Sequence, residues 1–134
     1  MTDNIKDINT TALAYIGDAV YEIYVRKHCI MTGQCHADAL HKKAVAFVKA
    51  EGQAFALKRM MEEDFFTSEE ISLIKRARNH KIASKPKNVA PLTYKHATAF
   101  EAILGLMHLQ NQEERLTQII ERAIEIIELE GKNR

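Results

Sequence analysis

Apolar residues recur at helical spacing along almost the whole chain, and no run alternates polar and β-branched residues long enough to argue for a strand. The pattern predicts a first helix over 11–31, closed by Gly33. It predicts a second over about 37–63, bent at Gly52. Thr67 and Glu70 have capping-box spacing and open a third helix, which runs to about Asn79. HKIASKPKNVAPL, residues 80–92, reads as a loop, followed by a fourth helix over about 93–110. The last helix is expected to start from an Asn111 N-cap, to carry the stripe Leu116, Ile119, Ile120, Ala123, Ile126 and Ile127, and to stop at Gly131. Nothing divides the chain by repeat or composition, so residues 1–134 are expected to form a single all-α domain.

One segment departs from ordinary amphipathicity. ATAFEAILGLMHL, residues 97–109, is apolar nearly all round, which marks a buried helix. At ~100° per residue, Tyr94, Thr98, Glu101, Gly105 and His108 share an arc of roughly 80°. That seam must face something other than the core, because an unpaired buried carboxylate costs several kcal/mol. In the first helix, Leu13, Ile16, Val20 and Tyr24 read as the core stripe, with Asp18 on its flank beside Ala14 and Val25. Gly17 and Gly105 are each unfavourable inside a helix, by about 1 kcal/mol relative to Ala, which argues for a close helix crossing. Such a crossing would bring Asp18 and Glu101 together. Two facing carboxylates repel, and a hard divalent cation such as Mg²⁺ or Mn²⁺ relieves that repulsion. The alternative is a Glu101 salt-bridged to a lysine in a purely helical scaffold.

The formal net charge of +1 conceals an asymmetry: residues 71–100 hold seven basic residues and no acidic one, leaving twelve basic against eighteen acidic residues elsewhere. Lys75, Arg76, Arg78, Lys81, Lys85 and Lys87, with Asn79, His80 and Asn88 among them, form the candidate contact for a polyanion. No aromatic interrupts residues 75–92, so stacking on unpaired bases is disfavoured and a duplex backbone fits better. Phosphodiester hydrolysis is then the natural enzymatic reading.

Two other features change less. Cys29 and Cys35 lie in HCIMTGQCH, but the neighbouring His–Cys pairs are adjacent in sequence and point apart, unlike zinc ligands spaced along a knuckle. The stretch reads as a helix end with reduced thiols. MTDNIKDINT lacks the plan of a secretory signal, and no stretch is apolar enough to span a bilayer, so a cytoplasmic protein without a membrane partner is expected.

ALAYIGDAVYE resembles the signature motif of the ribonuclease III catalytic domain, and ATAFEAILG its second acidic motif. LHKKAVAFVKAEGQA, RARNHK, PKN and TYKHATAFEA follow in the order seen in the Mini-ribonuclease III family, so the resemblance covers essentially the whole chain. It implies a homodimeric, all-helical endonuclease that cuts double-stranded RNA with Mg²⁺, which Mn²⁺ can replace. It also implies 5′-phosphate and 3′-hydroxyl ends and a substrate in precursor 23S ribosomal RNA, with a large-subunit ribosomal protein as a further partner. Asp18 and Glu101 occupy the family's catalytic, metal-binding positions. The larger enzymes carry two more acids where this chain has Ala14 and Thr98, which leaves the number of metal ions open. They also carry a separate RNA-binding domain, for which this chain has no room, so the basic 75–88 segment would supply the grip on RNA. The rival expectation is a non-catalytic RNA-binding or assembly module that keeps the fold.

Overall fold

The buried helix predicted around Glu101 is the axis on which the other helices are hung. The computed structural model describes residues 5–33, 36–80 and 86–132. A short 3-10 turn, Ile5–Asp7, leads to six helices: α1 (Thr10–Met31), α2 (Ala37–Val48), α3 (Ala50–Glu62), α4 (Ser68–Arg78), α5 (Pro91–Leu109) and α6 (Glu113–Lys132). No strand occurs among the described residues. The fold is that of the all-α reading. Cys35, Lys81 and Lys85 lie outside the described residues.

α5 packs against α1, α3, α4 and α6, and buries Ala97, Ala99, Phe100 and every residue from Ala102 to Met107. A helix with so many partners must be apolar on most of its circumference, which explains its lack of an amphipathic pattern. Its crossing with α1 is set by two glycines. A Cβ on Gly17 would lie 1.8 Å from the Glu101 carbonyl oxygen, and one on Gly105 would lie 1.9 Å from that of Leu13. Neither glycine position could carry a Cβ, and the two backbones touch, with Ile16 Cγ2 close beside Gly105. α1 buries Leu13, Ala14, Gly17, Val20, Tyr21, Val25 and Cys29. The buried face is rotated from the expected stripe: Ala14 and Val25 lie inside, while Ile16 and Tyr24 are only partly buried. The glycine contact draws its own side of α1 inward.

The boundaries differ from the sequence reading in four places, each for a local reason. The second helix is not one bent rod. It breaks at Lys49, which is extended (φ −67°, ψ 154°), three residues before Gly52. Gly52 instead permits the elbow to close, since a Cβ there would meet the Ala46 carbonyl oxygen at 2.4 Å. α5 begins at Pro91, whose fixed φ and missing N–H suit a first helical position. Asn111 is not the N-cap of α6. It is left-handed (φ 58°) and closes α5: its N–H donates to His108 O and that of Gln112 to Met107 O, the paired bonds of a Schellman turn. Gly131 does not stop α6, which continues to Lys132.

The capping box at α4 forms as expected, with Thr67 accepting from the Glu70 N–H and Glu70 accepting from that of Thr67. The same Glu70 is buried against Arg115, whose Nε and Nη2 donate to its two oxygens at 2.9 and 2.8 Å, so one carboxylate both caps α4 and ties it to α6. No helix of the described residues is long and apolar enough to cross a membrane.

Gly105→Ala is expected to lower the unfolding free energy by about 2–3 kcal/mol despite alanine's better helix propensity, because backbone cannot yield as a side chain would. Gly131→Ala, where a Cβ meets nothing within 4 Å, is expected to leave stability unchanged or slightly raised. Urea denaturation of the two variants beside the parent chain checks both signs.

Candidate active site

The glycine crossing determines what lies beside it. Asp18 follows Gly17 on α1, and Glu101 is the residue whose carbonyl Gly17 touches on α5. Their carboxyl groups are brought within hydrogen-bonding reach of each other. Asp18 is exposed and Glu101 half-buried, so the pair straddles the boundary between core and solvent. The expected meeting of these two residues is what the structure has.

Burial is the largest influence on Glu101, followed by the hydrogen bond and the negative charge of Asp18. Together they push its carboxyl up to about 9 from an ordinary 4.5, against a smaller opposing pull from a Gln53 hydrogen bond. Near neutral pH, with no cation present, Glu101 is thereby held in its protonated form. Deeper in, Tyr21 packs edge-on against Phe100, with ring centroids 5.1 Å apart, and donates its hydroxyl hydrogen to Phe47 O at 3.1 Å. Burial, with the Glu101 charge second, pushes the Tyr21 phenol well above its usual range, so it stays neutral. Among the described residues the partners of Glu101 are Asp18 and Gln53 rather than a lysine or arginine, which does not favour the salt-bridged scaffold reading.

Gln53 was not visible as a site residue from the sequence. It lies in the first turn of α3, 2% exposed, and its Nε2 donates to Glu101 Oε2 at 3.3 Å and to Val48 O at 2.8 Å. Its sequence signal is its place in the LHKKAVAFVKAEGQA stretch; the structure adds that it is the polar member of a buried set otherwise made of Gly52, Ala54, Ala56, Leu57 and Met60.

Of the other seam residues, Tyr94 and Thr98 are half-buried and His108 is exposed at the solvent end. Ala14 is buried in the core, so it adds only a methyl group where an acid would be a ligand. Oxygen donors from two carboxyl groups, with Glu101 driven toward its protonated form, suit a hard divalent cation, whose charge would take the place of that proton.

The basic segment is divided by the fold. Lys75, Arg76 and Arg78 occupy the last turn of α4, and Asn79 caps it. Arg78 lines a cleft of about 340 Å³ with Lys58 and His96, whereas Arg76 lines a different one of about 480 Å³ with Thr67, Gln112 and Arg115. His80 is exposed beyond the helix end. Lys87 and Asn88 are exposed in the turn that precedes α5, whereas Lys81 and Lys85 fall among the residues not described. Lys58 on α3 and His96 on α5 lie outside the run of basic sequence and join Arg78 only through the fold.

The ribonuclease III domain family matches residues 11–112, a span holding both carboxylates and the segment between them. The Mini-ribonuclease 3 of Enterococcus faecalis is 42% identical over 115 residues, covering 86% of this chain and 87% of its own. That of Staphylococcus aureus is 38% identical over 125 residues, 93% of each. A crystal structure of a Fusobacterium nucleatum protein superposes with a TM-score of 0.80 at 33% identity, over 92% of this chain and 98% of that one. An all-helical fold, a carboxylate pair built by a backbone crossing and a sequence match across nearly its full length agree: the chain belongs to the ribonuclease III family of endoribonucleases, on its Mini-ribonuclease 3 branch.

Proposed function

We propose that the chain is a Mg²⁺-dependent endoribonuclease that hydrolyses double-stranded RNA, with Asp18 and Glu101 as its catalytic, cation-holding residues. The observation that carries this reading is the enforced approach of those two carboxylates at the edge of the core, where packing alone would have placed apolar groups. A bound hard cation supplies Lewis acidity, strengthening water as a nucleophile near neutral pH and offsetting charge on the phosphate. Asp18, exposed, presents its charge to the solvent side of the site. Glu101, held from behind by Gln53, sets the inner side. Cleavage by water leaves a 5′-phosphate and a 3′-hydroxyl.

Grip on the duplex comes from Lys75, Arg76, Arg78, Lys81, Lys85 and Lys87, with Asn79, His80 and Asn88 supplying neutral or polar contacts to phosphate and 2′-hydroxyl groups. Those of them within the described residues lie at the end of α4 or in the turn before α5, which suits contacts to a phosphate backbone without base recognition. The chain acts as a homodimer. Tyr15, 83% exposed, shares one face of α1 with exposed Ala19, Ile23 and Ile30, a largely apolar strip crossed by Arg26 that is suited to a second copy across a two-fold axis. Two sites on one duplex then cut both strands. The cellular substrate is precursor 23S ribosomal RNA in the cytoplasm, presented with a large-subunit ribosomal protein.

Asp18→Asn and Glu101→Gln should each lower kcat on a plain RNA duplex by on the order of a thousand-fold, several kcal/mol of barrier, while duplex binding in chelator persists. Full cleavage by either variant would remove that residue from the mechanism. The carboxyl pair also predicts a pH dependence in metal-free protein. Glu101 has a folded value of about 9, above its ordinary 4.5, so between those limits the folded chain keeps a proton that the unfolded chain has released. Its contribution to stability is complete below about 4.5, declines as pH rises and is lost through about 9. Thermal melting in chelator should show this fall for the parent chain and a flatter profile for Glu101→Gln. Changing Lys75, Arg78 and Lys87 together to Ala should reduce the slope of log affinity against log salt by about 1 per phosphate contact removed; a titration of duplex binding against KCl measures it.

A further inference from the structure

Three polar or charged side chains are buried among the described residues: Thr10, Gln53 and Glu70. Thr10 opens α1 and Glu70 is matched by Arg115. Gln53 remains. Both hydrogens of its amide are directed to acceptors, the carbonyl of Val48 at 2.8 Å and the Oε2 oxygen of Glu101 at 3.3 Å. Its own Oε1 is buried with no partner among the described residues.

The amide can face in only one direction. Val48 is the last residue of α2, and its carbonyl can only accept. Turning the amide over would set two acceptors against each other there, so the NH₂ group is locked toward Val48 and donates to Glu101 as well. Simple packing does not account for this side chain. A buried acceptor without a partner costs about 1–3 kcal/mol, a cost that Leu or Met at the same place would avoid. What the amide adds over those residues is the bond to the α2 terminus and the bond to Glu101.

We propose that Gln53 is a positioning residue for the reaction: anchored by the last carbonyl of α2, it fixes the Oε2 oxygen of Glu101 and so the orientation in which that carboxylate receives a divalent cation. Gln53 itself is too deeply buried to reach RNA. This inference rests on the reading of Glu101 as a cation ligand. Its importance is greater here than in a site with four acids, since Ala14 and Thr98 leave only two carboxylates to define where the cation sits. The elbow between α2 and α3 is thereby made part of the site, although it is remote from it in sequence.

Gln53→Leu and Gln53→Met keep the volume and remove the donor. Mn²⁺ affinity of the RNA-free protein is measured by calorimetry, duplex cleavage over a range of Mg²⁺, duplex binding in chelator, and thermal melting alongside. Weaker Mn²⁺ binding, by on the order of ten-fold or more, is expected, with a matching fall in kcat that excess Mg²⁺ partly restores. KM for the duplex and duplex binding in chelator should be unchanged, and the melting temperature should move little, because the cost of the unpartnered Oε1 is exchanged for that of a Val48 carbonyl left without its donor. A folded variant that binds Mn²⁺ as the parent does overturns the proposal. Failure of both variants to fold also overturns it, by making Gln53 a support of the core. Glu101→Gln run in parallel separates the two readings. If it keeps Mn²⁺ binding and cleavage, Glu101 is not a ligand; if it loses both while the Gln53 variants lose neither, only the role of Gln53 falls.

Discussion

Two helices cross with their backbones in contact, and the rest of the molecule follows from that contact. At Gly17 and Gly105 the separation is too small for any Cβ, so the carbonyl of Glu101 rests on α1 and that of Leu13 on α5. Interiors pack at the density of crystals, and a crossing this tight fixes neighbouring side chains to within a fraction of an ångström. Asp18 and Glu101 are those neighbours. The geometry of the carboxylate pair is thus a consequence of how closely two pieces of main chain approach, and it rests on rigid helices rather than on loops.

The arrangement works against stability. A half-buried carboxyl placed beside another is driven toward its protonated form, with burial the larger influence and Asp18 the second. Around the pair, however, the core is conventional: Tyr21, Phe100, Ile103 and Leu104 are fully buried, and the apolar stripe of α6 closes over α3 and α5. The electrostatic strain is local and the packing that tolerates it is global. A site of this kind gains when a cation arrives, because ligand charge that was mutually repulsive becomes attractive.

Ties at the periphery decide where the outer helices point. Glu70 caps α4 and holds Arg115 of α6 through two hydrogen bonds, while the Arg115 guanidinium also lies over the Phe65 ring at 4.6 Å and donates to Phe65 O. At the far end of α3, Arg122 of α6 grips Glu63. With α4 held in this way, its basic last turn divides between two clefts, Arg76 entering one and Arg78 the other beside Lys58 and His96. The positive residues also lie at the negative end of the helix dipole, so their placement there serves α4 as well as an anionic partner.

Much of this was legible in the chain itself. Helical periodicity, the Thr67–Glu70 box, the two costly glycines and the solitary carboxylate on an oily helix are local signals, each readable within a turn or two. They were enough to foresee an all-helical domain and the meeting of Asp18 with Glu101. Boundaries shifted where a residue had two local meanings: Asn111 can cap the start of one helix or, with φ 58°, the end of another, and only the preceding carbonyls decide. What the tertiary structure alone decided was which distant groups share a space. Gln53 enters the site because α2 and α3 fold at Lys49, and Arg76 parts from Arg78 because they leave α4 on different sides. A sequence records the order of residues and the chemistry of each. Burial, pairing and orientation depend on contacts between segments far apart in that order, and those exist only once the chain has closed on itself.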